Sequence, residues 1–528
     1  MSIAMALAGP APVHAQSAAP TPAPSQVRLP ALGESASDDF NLSAEKRLGE
    51  QIMRDIRRDP DFMDDPLLLE YLQSVWQPIL QAARERGEIG ADVAQLFPFE
   101  AFLVRDRSVN AFALPGGYVG VHLGLIAMTA TRDELASVLA HEFSHISRRH
   151  IARSISSSSR NSSLALAAMI LGLLAASRSS NPDAAQAAIV GGQAAMAQSQ
   201  LNFSRDMERE ADRNGQSLMA QAGFAPSGMA AMFNKLDQGN RLNDSGAFPY
   251  LRSHPLTTER IAEAQQRAVQ AGGVAPVAVD VTRWHSLMQA RAKVLMDPSV
   301  DSMRRLQELD SHAGTPQERL AGLYASALAS IRLRDFARAD RALAAAGGLP
   351  GVRDDLFVQR AFAPLFIQLA LARGDVRSAT LAVSVLDTSA AARPAMLLRA
   401  QVALASGDVA AVRQSTEALQ TWVSEHRQDA TAWQALSHCA EQQGQPLRAV
   451  RAAAEAQAAI GNIQGAMDRL RAGQQLARRG AVGNDFIEAS VIDSRMRDLQ
   501  AQRRELMAEQ RGSGRRGGDD DSRPDGSQ

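Results

Sequence analysis

Five residues, His141-Glu142-Phe143-Ser144-His145, constrain this chain more than any other stretch. On a helix, residues four apart are separated by ~400° of turn, so both histidines leave one face and can grip one tetrahedral ion. Glu142 lies one step round, beside the open coordination position, where a carboxylate can take a proton from water. The flanks suit such a helix. Thr131 can serve as N-cap, Asp133 and Glu134 fit the first turn, and Arg148 and Arg149 fit the last. The intervening DELASVLA is apolar on its inward face. One continuous helix is expected from Thr131 to His150, bearing a single zinc per chain on His141 and His145 with Glu142 as general base.

Two histidines need a third ligand. His150 stands nine residues after His141, ~900° round and so on the opposite face of a continuous helix. Ile151 occupies the position where a metzincin would carry its next histidine. The ligand must therefore come from elsewhere. SRDMEREADRNG at 204–215 reads as a second helix with Glu208, Glu210 and Asp212. Glu208 and Asp212 are four apart and share a face, while Glu210 points ~200° away from Glu208. Glu208 is expected as the metal ligand and Asp212 as acceptor for a ligand imidazole N–H. Ala211, small and beside that face, allows the two helices to pack closely.

A chain of 528 residues exceeds one ordinary core, so two or three domains are expected. The net charge of -1 excludes a nucleic-acid footprint, which needs a basic excess. The single cysteine, Cys439, excludes an intramolecular disulfide and a cysteine-rich metal site, and suits a small core residue. No Lys, Arg, Asp or Glu precedes Arg28. Ile3–Gly9 is apolar, and Val13-His14-Ala15 resembles a cleavage site. Residues 1–15 are expected to be a signal peptide short of its basic segment, followed by an Ala/Pro/Ser-rich linker over 16–38. That pattern implies export to an envelope compartment. The apolar stretch Leu164–Ala176 is too short for the ~20 residues of a spanning helix, so membrane contact is expected to be peripheral at most.

Residues 39–300 are expected to form a metallopeptidase domain with a small sheet. Amphipathic helices are read near Leu42 and after Asp65-Pro66, a strand over 97–104, and turn plus strand over 111–125 around Pro115-Gly116-Gly117. From about Leu306 the texture becomes Ala-rich helix pairs. LALARGDVRSA and VALASGDVAAV place the same Gly-Asp-Val phrase at Gly374 and Gly407, 33 residues apart. A period near 34 is the tetratricopeptide signature, so 301–510 is expected to be an all-α solenoid that binds proteins. Residues 511–528 lack apolar side chains and are expected to be disordered. The fold class is thus mainly α: an α+β zincin-type domain followed by helical repeats.

The HEFSH helix, EREAD at 208–212 and SHPLTTERI at 253–261 together resemble the gluzincin family of the CAAX prenyl protease and the HtpX heat-shock protease. NAFALPGGY from Asn110, LPALGES at 29–35 and DPLLLEYLQSV at 65–75 extend the likeness over the peptidase half. The resemblance is to soluble, periplasmic members with C-terminal repeats. It implies cleavage of unfolded or misassembled proteins and repeats that contact the outer-membrane assembly machinery. It also implies a site role for His254, either as an oxyanion donor or as a reversible fourth ligand that silences the zinc. The insert at 154–201 departs from the family pattern. The rival expectation is a chaperone or assembly adaptor with a latent peptidase site.

Overall fold

The computed structural model describes residues 41–157, 204–242, 248–272, 279–311, 314–384, 393–478 and 485–516. The leader, the linker and the apolar stretch Leu164–Ala176 lie outside these residues. Helices α1 (Leu42–Ile56) and α2 (Pro66–Glu85) flank strand β1 (Phe62–Met63). Side chains of Asn41 and Asp65 cap the two helices by accepting from Ala44 N–H and Leu68 N–H. A short α3 (Ala91–Leu96) precedes β2 (Glu100–Val104), β3 (Ala111–Leu114) and β4 (Tyr118–His122).

The strands form one sheet in the order β1-β2-β4-β3, with β2 parallel to β4 and the other pairs antiparallel. Alternation sorts its two faces. Leu103, Val119 and Val121 join the main core, while Phe102, Val104 and Tyr118 pack with Ile52, Met53 and Ile56 of α1. Gly116 and Gly117 turn the chain between β3 and β4 at φ 78° and 91°, a region open to glycine at little cost. Tyr118 and its strand are paired on both sides, so β3 is the edge nearest the site.

There follow α4 (Leu123–Met128), α5 (Arg132–Ser147), α6 (His150–Ser157), α7 (Arg205–Gln221), α8 (Ser227–Leu242), α9 (Tyr250–Ser253), α10 (Thr258–Gln270), α11 (Val279–Leu295) and α12 (Val300–Gln307). The helix expected over 131–150 is broken. α5 ends at Ser147, and Arg149 takes φ 52° before α6 begins at His150.

The rest is helix pairs: α13 (Pro316–Arg332) with α14 (Phe336–Gly347), α15 (Leu356–Ala372) with α16 (Val376–Ser384), and α17 (Arg393–Ser406) with α18 (Val409–Glu425). α19 (Ala430–Gln442) with α20 (Pro446–Ala459), and α21 (Ile463–Arg478) with α22 (Phe486–Arg516), complete them. The Gly-Asp phrase has a physical basis. Gly374 and Gly407 adopt left-handed φ at the end of one helix, and Asp375 and Asp408 accept backbone N–H groups of Ser378 and Ala410 at the start of the next. Arg334 and Gly444 hold the same conformation in neighbouring pairs.

One buried apolar cluster runs from Met63 through Phe143 and Trp284 to Tyr324, Phe362 and Leu369. The core therefore crosses position 300, and α13 and α15 fill the same interior as the HEFSH helix. Asp65 is gripped by Arg291 at 2.6 and 2.7 Å, and Arg291 also donates to the Tyr324 hydroxyl. The neighbouring Asp64 receives Arg393 at 2.6 and 2.7 Å, and Arg393 also binds Asp429. Cys439 is fully buried in α19, as a small core residue.

Candidate metal centre

Every residue of α5 from Asp133 to Ile146 is buried, including His141, Glu142 and His145. Burial on all sides makes each charge here dependent on neighbours. α7 supplies them. It approaches so closely that a Cβ on Gly215 would lie 3.0 Å from the backbone of Ala140 and His141. This brings Glu208 and Asp212 under the two histidines. The chain leaving α9 adds His254, whose backbone at φ -124° and ψ 76° has left the helix, as Pro255 after it requires.

His141 Nε2 and His145 Nε2 are 3.0 Å apart, and Glu208 lies 3.5 Å from the first and 3.4 Å from the second. His254 Nδ1 is 3.3 Å from His141 Nε2 and 2.9 Å from Glu208 Oε1. These four ligand atoms all lie within 4.8 Å of one another. An ion bound tetrahedrally at about 2.0–2.1 Å holds its donors roughly 3.3–3.4 Å apart. The cluster has that spacing, with two imidazole nitrogens facing each other across a gap that one cation would satisfy. The donor set fits a metal ion.

Glu142 stands beside the cluster. Its Oε2 accepts Ala113 N–H from the edge strand at 2.9 Å. Its buried Oε1 has no hydrogen-bond partner among the described residues and lies 3.4 Å from His254 Nε2. Burial raises the Glu142 carboxyl above its ordinary range, against the pull of His254 and His141. A raised carboxylate with one free oxygen is suited to taking a proton. Burial also works on Glu208, but His254 and His141 overcome it and hold that carboxyl well below its usual range.

The supporting contacts differ for the two histidines of the motif. His141 Nδ1 lies 2.9 Å from Asp212 Oδ1, the contact expected from the sequence. His145 Nδ1 instead meets His150 Nδ1 at 2.8 Å. Burial pushes His150 down to about 4 despite its partner Glu210. Arg260 of α10 binds Asp212 through two nitrogens at 2.7 and 2.8 Å, lies 2.9 Å from Glu208 Oε2, and donates to the Pro255 carbonyl at 2.7 Å.

All six residues singled out from the sequence, His141, Glu142, His145, Glu208, Asp212 and His254, converge here. Arg260, His150 and Gly215 were missed. Arg260 sits inside the SHPLTTERI stretch but shows no periodicity or spacing that marks it. His150 was set aside because a continuous helix would turn it away, and the break at Arg149 undoes that geometry.

A buried His-Glu-His-His cluster on facing helices, beside a small sheet, defines a gluzincin-type metallopeptidase domain. Residues 72–268 match the model of peptidase family M48, and the domain belongs to that family. The chain is similar to a putative beta-barrel assembly-enhancing protease of Vibrio cholerae, 36% identical over 244 residues, 46% of this chain and 48% of the relative. It is also similar to the beta-barrel assembly-enhancing protease of Escherichia coli strain K12, 30% identical over 326 residues, 62% of this chain and 64% of the relative. The mitochondrial metalloendopeptidase OMA1 of Schizosaccharomyces pombe is 33% identical over 168 residues, 32% of this chain and 46% of the relative. The alignments thus span about half to two thirds of these relatives' lengths.

Proposed function

We propose that the protein is a zinc endopeptidase of the bacterial envelope, with His141, His145 and Glu208 holding one zinc and Glu142 as general base. The tetrahedral spacing of the donors beside a half-free Glu142 carries the reading. When bound, zinc supplies Lewis-acid polarisation of a carbonyl and acidification of water to a pKa of roughly 7. Ala113 N–H fixes Glu142 through Oε2, so Oε1 is the atom that takes the proton from water and returns it to the leaving amine. Asp212 holds the His141 ring with Nε2 turned inward, and Arg260 keeps Asp212 and Glu208 compensated.

The relatives' names favour work on outer-membrane β-barrel proteins, with misassembled chains as substrates and the helix pairs, in a tetratricopeptide arrangement, contacting the assembly machinery. Among the described residues no helix is long and apolar enough to cross a membrane. The uncharged leader suits export to the periplasm.

His254 favours a second reading of the same site. Its Nδ1 takes the fourth position, where a substrate or water would act. We propose a latch: the peptidase is quiet until a substrate or partner draws the His254 segment away, and in its latched state the chain acts as an assembly adaptor. Metal analysis should find one zinc per chain, and Glu142→Gln should keep it while losing activity on an unfolded substrate by about 10²–10⁴-fold. Activity within tenfold of wild type would remove Glu142 from the mechanism. His254→Ala should raise proteolysis; a fall would make His254 an oxyanion donor instead.

A further inference from the structure

The break after α5 has a chemical product. Arg149 N–H still bonds Ile146, but its left-handed φ of 52° redirects the chain so that His150 folds back under His145. A non-glycine residue in this conformation needs outside support. Arg149 has it. Its guanidinium donates through Nε and Nη2 to Glu45 Oε2 at 3.3 and 3.1 Å, and Glu45 is buried in the first turn of α1.

The proton positions follow one consistent assignment. His145 Nε2 faces the cluster, so a metal there takes its lone pair and the ring's proton sits on Nδ1. That proton faces His150 Nδ1 at 2.8 Å, which accepts it. The proton of His150 is then on Nε2, 3.1 Å from Glu210 Oε2. Glu210 is held in turn by Arg153 at 3.1 Å. His141 is steered by a carboxylate directly, and His145 is steered by a carboxylate through a second imidazole. The buried His150 ring, fully enclosed, has both nitrogens engaged.

We infer that His150 is a positioning residue for the metal ligand His145, fixing its tautomer and ring orientation through a relay to Glu210. The inference rests on the reading of His145 as a ligand. Its test is zinc affinity of the full-length chain, measured by competition with a fluorescent chelator, with melting of the metal-free protein followed separately. Asn and Gln divide the functions of the ring. His150→Asn places an amide oxygen near the position of Nδ1 and can still accept from His145. His150→Gln reaches the position of Nε2 and keeps Glu210 but offers His145 no acceptor in place.

Loss of such an orienting contact weakens metal binding by about 10–100-fold. His150→Ala and His150→Gln should fall in that range, with His150→Asn within about threefold of wild type on the same scale. Three variants binding zinc as tightly as wild type would overturn the relay. So would Asn and Gln variants weakened alike, in step with their metal-free melting, because that pattern belongs to packing alone. A wild-type chain that binds no zinc overturns the ligand reading itself, and the relay with it. That result differs from one in which wild type binds and the variants are indifferent.

Discussion

Helix α5 and helix α19 solve opposite problems. α19 is amphipathic: Ala432, Trp433, Leu436, Ser437, Cys439 and Ala440 face inward, while Thr431, His438, Glu441 and Gln442 are exposed. α5 has no outer face over fourteen residues, and it buries two histidines and three acids among its leucines and alanines. On α19 the single acid, Glu441, is exposed, where water helps it. In the peptidase half, charge lies in the interior, where only another charge or a metal can help it. The difference teaches that the halves are stable for different reasons and should fail under different insults.

The largest effect should come from cutting between them. A chain ending at residue 300 keeps every proposed ligand but loses Leu320, Leu323, Tyr324, Leu328, Phe362 and Leu365 from the shared core. Each deletion of such a side chain costs about 2–5 kcal/mol, against a total of roughly 5–15, so the fragment should not fold cooperatively. A sharp thermal transition and bound zinc in residues 39–300 would show that the peptidase core is self-sufficient after all.

Next in size is removal of the buried cation. Arg260→Ala takes the two-nitrogen partner from Asp212 and a close cation from Glu208 and should cost about 3–5 kcal/mol in a denaturant melt of metal-free protein. Its counterpart in the repeats is Arg451, which pairs with Glu488 at 2.7 and 3.0 Å with both side chains partly exposed. Arg451→Ala should cost no more than about 1 kcal/mol. Equal costs would erase the contrast.

A pH series sharpens it further. Burial lowers His122 to about 4 while Asp106 pulls the other way. The unfolded chain takes this proton first, near its ordinary pKa of about 6.5. Stability is therefore complete above about pH 6.5 and declines as the pH falls toward 4, by at most about 3 kcal/mol for this residue. Melting temperatures measured across that window should slope less in His122→Gln. An unchanged slope would assign the acid loss to other groups.

The legibility of the sequence follows the same divide. α19 and its partners could be read from period alone, because Ala and Leu spacing and the Gly-Asp turns report one inward face. α5 could not, since burial on every side erases periodicity. It was legible because its chemistry is: His141, Glu142 and His145 at motif spacing, then Glu208 and Asp212 four apart, locate the centre without any hydropathy signal. What escaped was set by single backbone angles and long-range approach. The φ of Arg149 decides where His150 goes, and no propensity foretells it. Arg260 lies 48 residues from Asp212, and only the fold makes them neighbours. The core passing through position 300 was hidden because composition changes near there while packing does not.

That continuous core sets an order of events during synthesis. The chain leaves the ribosome from its N-terminus, and domains tend to fold as they emerge. Here His141, His145, Glu208 and His254 are all translated before Tyr324, Phe362 and Leu369, which belong to the apolar cluster that also holds Phe143 of the HEFSH helix. The last of the four ligand candidates to appear is His254, the one in the fourth position. The interior is thus completed only after all four ligand candidates are in the chain, so the packing of the peptidase half waits on residues made after it.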